Sequence, residues 1–354
     1  MLSQESCDFL ARFMNAASPS GYEGGASAVF RSYLRDSGIS VSGDVLGNSI
    51  ATLNGDAPLR VMLAGHLDEI GFQVVHISDE GLIYFRANGG IDKLNVPSSE
   101  VDILTSGGVV PGVIGKKPIH LLKASERDTA PELSELWIDI GCESGDEVKK
   151  RVSVGDPVAF RSNFKLLGDH RFISKGTDDK VGAFIIAEVL KRLKDRSLNL
   201  GVVGVATVQE EVGLRGAAPS AFAVDPAAAI VLDVGFATDL PDIPHQIWGD
   251  VKLGGGPILT RSCDNNVIWG QMLRDTAKRF GLPYQESAAH RATGGTDAAR
   301  IQLNKSGVAT ALISIPNRYM HSQVEMCDLR DVENTIELIC ELLASCSGKE
   351  SFVL

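Results

Sequence analysis

The sequence predicts an α/β fold: a central mixed sheet with helices on both faces, interrupted by an inserted, small β-rich domain. Three observations point there. Near-continuous apolar runs of strand length, LGVVGVATV (200–208), AAAIVLD (227–233) and VATALISI (308–315), alternate with long helical patterns, as strands covered on both faces do. From about residue 70 to 166 the chain becomes strand-rich and Gly-punctuated, with one short helical stretch at ESGDEVKKR. The length of 354 residues favours two domains at about 150 residues each. The expected division is residues 1–70 with 168–354 as one discontinuous α/β domain and 71–167 as the insertion.

The N-terminal 40 residues read as two helices. Leu10, Phe13 and Met14 recur at helical spacing in the first, and Val29, Phe30, Tyr33 and Leu34 in the second, with SPSGYEGG (18–25) as the connector. SIATL (49–53) and RVMLAG (60–65) are short apolar strands. GFQVVHI and LIYFRA flank the turn signal SDEG and read as a hairpin; VVPGVIG (109–115), LWIDIG (136–141) and DPVAF (156–160) are further strands. DDKVGAFIIAEVLKRLKD reads as a helix whose apolar face holds Val181, Phe184, Ile185, Val189 and Leu190. NVIWGQMLRDTAKRFG (266–281) and VENTIELICELLASC (332–346) are helices, and LGGGP (253–257) reads as a turn.

Composition removes several classes of function. Hydrophobic residues make up 44% and charged residues 22%, which excludes a disordered chain. Thirty-four Lys and Arg against 45 Asp and Glu give a net charge of −11, which leaves no electrostatic footprint for nucleic acid or acidic lipid. No apolar run approaches the roughly 20 residues of a membrane span. The opening MLSQESCDFLARFMNA lacks a signal-peptide core, so a cytoplasmic location is expected. Six scattered cysteines without CxxC pairs read as reduced thiols in a packed interior, Cys263 beside Asp264 included.

The chemistry lies where apolar strands end. RVMLAG runs into His66 and Asp68, GVVGVATVQ into Glu210 and Glu211, AAAIVL into Asp233, and ALISIPNRYM reaches His321 after a short loop. Asp178 and Asp179 open the long helix. Ligands gather beyond the carboxyl ends of strands in open α/β sheets, and two His with several carboxylates form the donor set of a zinc, cobalt or manganese site. Each residue alone has a plainer reading. His66 could be a satisfied loop histidine, Asp178-Asp179 a helix cap, Asp233 a strand-end cap and His321 a core histidine. Glu210-Glu211 resists the plain reading, because adjacent anions at a buried strand end are poorly solvated unless a cation joins them. Asp68, two residues beyond His66 on the same strand face, is placed to take its second ring N–H. No GxSxG, HExxH, GxxxxGK[ST] or strand-to-helix GxGxxG occurs. Among the other histidines, His290 is the best placed for a substrate contact.

The strings SPSGYEG, AGHLDEIGF, GVIGKKPIHLL, WIDIG, VGDPVAF, KGTDDKVGA, QEEVGLRGA, LDVG, GGTDAARIQ and ISIPNRYMHSQVEM occur in that order. In them the chain resembles the tetrahedral (TET-type) dinuclear metalloaminopeptidases, which include glutamyl and deblocking aminopeptidases and members labelled endoglucanase. Lys180 stands where Arg is common, and Gln323 where Pro often follows His-Ser. The resemblance implies a zinc-peptidase-like catalytic domain with a β-barrel-like insertion, and two divalent metal ions per subunit, zinc or cobalt, with manganese admitted. It implies that Asp178 bridges both metals, that His66 and Asp233 complete one site, and that Glu211 and His321 complete the other. Glu210 becomes the general base, with Asp68 behind His66, and the Asp178-Asp179 peptide is expected to be cis. The implied reaction removes the N-terminal residue from peptides with a free N-terminus, whose α-amine binds near a metal or an acid such as Glu210. The implied assembly is a homo-oligomer, a tetrahedral dodecamer. A metal-dependent N-deacylase or carboxypeptidase on the same site, an endoglucanase and a non-catalytic peptide-binding assembly are the alternatives.

Overall fold

The computed structural model describes residues 2–124, 127, 129–288 and 295–354. Four apolar runs become parallel neighbours at the centre of an eight-stranded sheet, in the order Gly201–Thr207, Arg60–His66, Ala228–Phe236, Ala309–Asn317. Ser49–Leu53 pairs antiparallel on one side and is followed by Val41–Gly43; Ile258–Arg261, antiparallel, and then Gln285–Ala288 extend the other. The sheet is therefore mixed. Its central strands are buried along nearly their whole length because helices cover both faces.

Alternation assigns the faces. Val61, Leu63, Ile230, Leu232, Ile313 and Ile315 point to a core shared with the helices Gln4–Asn15, Gly24–Asp36, Thr177–Leu193, Val267–Phe280 and Leu329–Ser345. Met62, Ala64, Val203, Val205, Ala229 and Val231 point the other way, against the short helices Ala217–Val224 and Ala298–Ile301. His66 and Asp233 continue the second set. Val231 is paired with Ala64, so two residues on, Asp233 and His66 stand level on one face.

Between the two parts of this sheet, Gly71–Ile77, Ile83–Asn88, Glu100–Thr105, Gly108–Gly115, Trp137–Asp139 and Pro157–Phe160 close into a barrel. It has its own core, in which Phe72 meets Phe85 and Phe160 edge-on at 4.8 and 5.3 Å. The chain then returns through Lys165–Leu167 and Arg171–Ser174, which pair with Glu325–Asp328 in a three-stranded sheet.

Several strands escaped sequence reasoning: Glu100–Thr105, Lys165–Leu167, Arg171–Ser174, Ile258–Arg261, Gln285–Ala288 and Glu325–Asp328. They are short, and several are polar or half-exposed, so they lack the continuous apolar signature of the centre. Cys263 corrects an expectation: it is exposed, because it lies in the turn after Ile258–Arg261 rather than in the core. Cys327, Cys340 and Cys346 are buried free thiols. Among the described residues no helix is long and apolar enough to cross a membrane.

One buried ion cluster joins the N-terminal connector to the sheet. Glu69 lies 2.5 Å from the Lys175 ammonium and 3.1 Å from that of Lys180, and accepts the Ser18 backbone N–H at 2.8 Å. Lys180 also donates to the Ala16 carbonyl at 2.7 Å. All three side chains are almost fully buried, and Gly176 is required here because any Cβ would overlap the Glu69 carboxylate. Glu69→Ala leaves two buried ammonium groups without their anion. Urea unfolding is expected to show a loss of about 3–5 kcal/mol, the scale for breaking a buried pair from one side. A loss below about 1 kcal/mol would mean that the cluster does not hold this junction.

Candidate metal centre

The sequence-selected residues meet at the carboxyl ends of the central strands. His66 is the last residue of its strand, and its Nδ1 lies 3.0 Å from the Asp68 carbonyl. A carbonyl only accepts, so Nδ1 carries the hydrogen and Nε2 faces the cleft. Nε2 is 3.2 Å from Asp178 Oδ1 and 3.9 Å from Glu210 Oε2. Asp178 presents its other oxygen elsewhere: Oδ2 is 3.3 Å from Nε2 of His321, which is also 3.5 Å from Glu211 Oε1. Two donor groups result, His66–Asp178–Asp233 and Asp178–Glu211–His321, each with ligand atoms within 4.8 Å of one another.

Backbone geometry aims these side chains. At the start of Thr177–Leu193, Asp178 and Asp179 depart from helical φ/ψ and the peptide between them is cis. The turned-back Asp179 carboxylate accepts the His66 N–H at 3.2 Å and the Gly182 N–H at 3.1 Å. Only glycine fits at 182, where a Cβ would overlap that carboxylate. Glu325 accepts the N–H groups of Asp178 and His321, both at 2.9 Å, and so ties together two residues on either side of the cleft. Gln209 at φ 58° turns the chain after Gly201–Thr207. There the Asp68 carboxylate accepts the N–H groups of Glu210 and Glu211 at 2.9 and 3.1 Å, and the Ser20 hydroxyl at 2.7 Å. Asp68 thus contacts His66 through its carbonyl, with its carboxylate 3.4 Å from Nδ1, while that carboxylate holds the Glu pair in place.

Sequence reasoning missed Asp179 as the anchor of His66, and it missed Glu325, Asp297 and the Glu69 cluster. Asp297 is buried, accepts the Thr207 hydroxyl at 2.6 Å and has a second oxygen without a partner among the described residues. Glu325 and Asp297 sit in the quoted strings but follow no apolar run that would mark them. His290 lies outside the described residues.

Electrostatics separate the groups. Burial raises Glu210 to about 11, reinforced by Asp233, Asp297 and Glu211 against the pull of His66. Burial, with Asp178, raises Glu211 to about 8. Burial and Asp178 also hold Asp233 well above the carboxylate range. Asp178 goes the opposite way: burial is outweighed by His321 and His66, and its carboxyl stays well below the usual range. The Asp178 hydrogen bond raises His321 to about 9 despite burial. Burial opposes a charge on His66, yet Asp178 and Asp68 hold its pKa well above the ordinary value. Among the described residues, Glu210 Oε1 is buried without a partner. A cluster of anions with too few positive partners and an orphaned carboxylate oxygen is what divalent cations relieve, and His/carboxylate donors suit them. The residues fit.

A model of the M42 glutamyl aminopeptidase family matches residues 47–338. A lysyl aminopeptidase of Pyrococcus furiosus is 35% identical over 95% of this chain and 96% of its own. The structure of a TET aminopeptidase from a marine sediment archaeon of the Thaumarchaeota superposes with a TM-score of 0.92 at 36% identity, over 96% of both chains. That of the Pyrococcus horikoshii TET1 peptidase, described as assembling into a tetrahedron or a large octahedral shell, does so at 0.87 and 31% identity, over 96% of this chain and all of the other. With 292 of its residues, 47 through 338, spanned by the family model, the chain belongs to the M42 glutamyl aminopeptidase family and is a metal-dependent peptidase.

Proposed function

We propose that this chain is a dinuclear metalloaminopeptidase that removes the N-terminal residue from peptides with a free N-terminus. The observation that carries this reading is the position of Asp178 between two donor groups, one carboxylate oxygen turned to each imidazole. His66, Asp178 and Asp233 would hold one ion; Asp178, Glu211 and His321 would hold the other. Zinc and cobalt suit this set best, with manganese admitted. When bound, the ions supply Lewis-acid polarisation of the scissile carbonyl and lower the pKa of an attacking water.

Glu210 does the proton work. Its carboxylate is buried beside His66 and has one oxygen without a partner among the described residues, while its backbone N–H is held by Asp68. It takes the proton from the water as the C–O bond forms, then delivers it to the leaving amine as the C–N bond breaks. The peptide's free α-amine pairs with an acid of this cluster. We assign residues 1–70 and 168–354 to the catalytic domain and 71–167 to an inserted one, a division supported by the separate barrel core. A homo-oligomer, specifically a tetrahedral dodecamer, and a cytoplasmic site of action complete the reading. Light scattering on active protein should give about twelve times the 37.7 kDa chain mass, and a fully active monomer would reject the assembly.

Neighbouring glutamates are assigned different jobs. Glu210→Gln should retain both ions by elemental analysis while kcat falls at least about 10²–10⁴-fold, with KM little changed. Glu211→Ala should lose one ion along with activity. Near-normal kcat in Glu210→Gln would end the mechanism.

Metal removal should also change how stability depends on pH. In the metal-free chain Glu211 is raised from 4.5 to about 8 and His321 from 6.5 to about 9. The folded state therefore binds more protons than the unfolded one across these windows, so stability falls as pH rises from about 4.5 through 9. Metal binding expels those protons, so the gain on adding zinc should grow with pH over the same range. Thermal melts with and without chelator check this; a pH-independent difference would reject the proton linkage.

A further inference from the structure

The connector SPSGYEGG (18–25) between the first two helices reaches the Glu210 turn from behind. It runs beside the segment that follows His66: Pro19 bridges to Glu69, and the Ser20 N–H donates to the Glu69 carbonyl at 3.3 Å. Gly21, at φ 86°, then turns its N–H onto Oε1 of Glu23 at 2.6 Å. The same oxygen accepts the N–H of Gln209 at 3.1 Å, a residue 186 positions along the chain. Glu23 is buried, so this contact is shielded from water.

Gln209 is the most constrained point of its turn. It stands at φ 58°, a left-handed conformation that a residue with a Cβ keeps only where its surroundings enforce it. The N–H groups of four consecutive residues are each taken by a side chain from the N-terminal part of the chain. Val208 donates to Asn48 Oδ1 at 3.0 Å, Gln209 to Glu23, and Glu210 and Glu211 to Asp68 at 2.9 and 3.1 Å. Glu23 thus holds the left-handed residue of this run, one position before Glu210. The Gln209 carbonyl is held on the other side by the Arg215 N–H at 3.1 Å. Without Glu23 the Gln209 N–H loses its acceptor, and the turn is free to relax out of the left-handed region. Glu210, whose carboxylate lies 3.9 Å from His66 Nε2, would move with it.

We propose that Glu23 is a positioning residue for Glu210, clamping the turn that aims the proton-transferring carboxylate into the cleft. The proposal rests on the reading of Glu210 as the general base. Among the described residues the Glu23 carboxylate bonds to Gly21 and Gln209 and to no member of either donor group, so its removal should act on proton transfer rather than on metal retention.

The test is steady-state kinetics with elemental analysis on the metal-loaded enzyme, using whichever of the leucyl, glutamyl and lysyl p-nitroanilides the parent cleaves fastest. Glu23→Ala should lower kcat about 10–10²-fold, the scale of a misplaced catalytic group, with KM within about threefold and metal content unchanged. Glu23→Gln keeps an acceptor oxygen at the same reach and should return kcat to within about threefold of the parent. Glu23→Asp, one methylene shorter, should lose at least about fivefold, and takes the place of the alanine variant in every comparison if that variant does not fold. In the Glu210→Gln background, adding Glu23→Ala should lower the residual kcat by less than about threefold, because the group it positions is already silent. An equal factor in both backgrounds, loss of an ion from Glu23→Ala, or failure of Glu23→Gln to restore kcat overturns the assignment while the aminopeptidase reading stands. Near-normal kcat in Glu210→Gln, or a parent that turns over no free-amine substrate, overturns both.

Discussion

Buried negative charge is the constraint on which the rest of this molecule depends. Asp178, Glu210, Asp233, Asp297 and Glu325 lie at strand and helix ends with little water to solvate them. Two imidazoles cannot neutralise such a set, and burial is the first cause acting on every carboxylate in it. A sequence that keeps these acids together gives up stability in the metal-free state and would recover it on binding divalent cations at the proposed donor groups.

Holding an anion cluster still requires a scaffold that does not relax around it. Here the backbone supplies that stiffness. The N–H groups of His66, Asp178, His321, Glu210 and Glu211 each end on a buried carboxylate, from Asp179, Glu325 or Asp68. Every residue in the two donor groups except Asp233 is thereby fixed through its main chain, and the Asp233 carboxylate accepts the Val234 N–H at 2.7 Å. Leaving any of these buried N–H groups without its carboxyl acceptor would cost about 1–3 kcal/mol. These hydrogen bonds orient the side chains while leaving the atoms that face the cleft free.

What the sequence shows follows from this division of labour. His66, Glu210, Glu211 and Asp233 stand out because they interrupt apolar runs, and the sheet register brings strand ends together without further information. The barrel region is recognisable as strand-rich, but its closure depends on pairings such as Glu100–Thr105 with Pro157–Phe160 that short polar strands do not announce. The anchors Asp179, Glu325 and Asp297 are harder to find. Each reaches at least one N–H or hydroxyl group far away in the chain, 113 residues in the case of Asp179 and His66. Asp68 is intermediate. Its place next to His66 is visible, yet its carboxylate reaches across 142 residues to Glu210, a partner set by folding alone.

The same logic explains why a barrel can be inserted between His66 and Asp178 without dispersing the site. The chain leaves the sheet at a strand end and returns through the separate three-stranded sheet to the helix Thr177–Leu193, where connections already lie outside the core and extra length costs little entropy. The barrel is then fastened back. Asn88, at the end of one barrel strand, donates to the Ser20 carbonyl at 2.8 Å, and Ser20 is itself bonded to Asp68. Gly89 and Gly90, which follow, lie so close to Glu211 and His321 that added Cβ atoms would touch them at 3.5 and 3.4 Å. The insertion therefore forms one wall of the cleft over the Glu211–His321 donors. The sheet face bearing Asp233 and Ser314 forms the other.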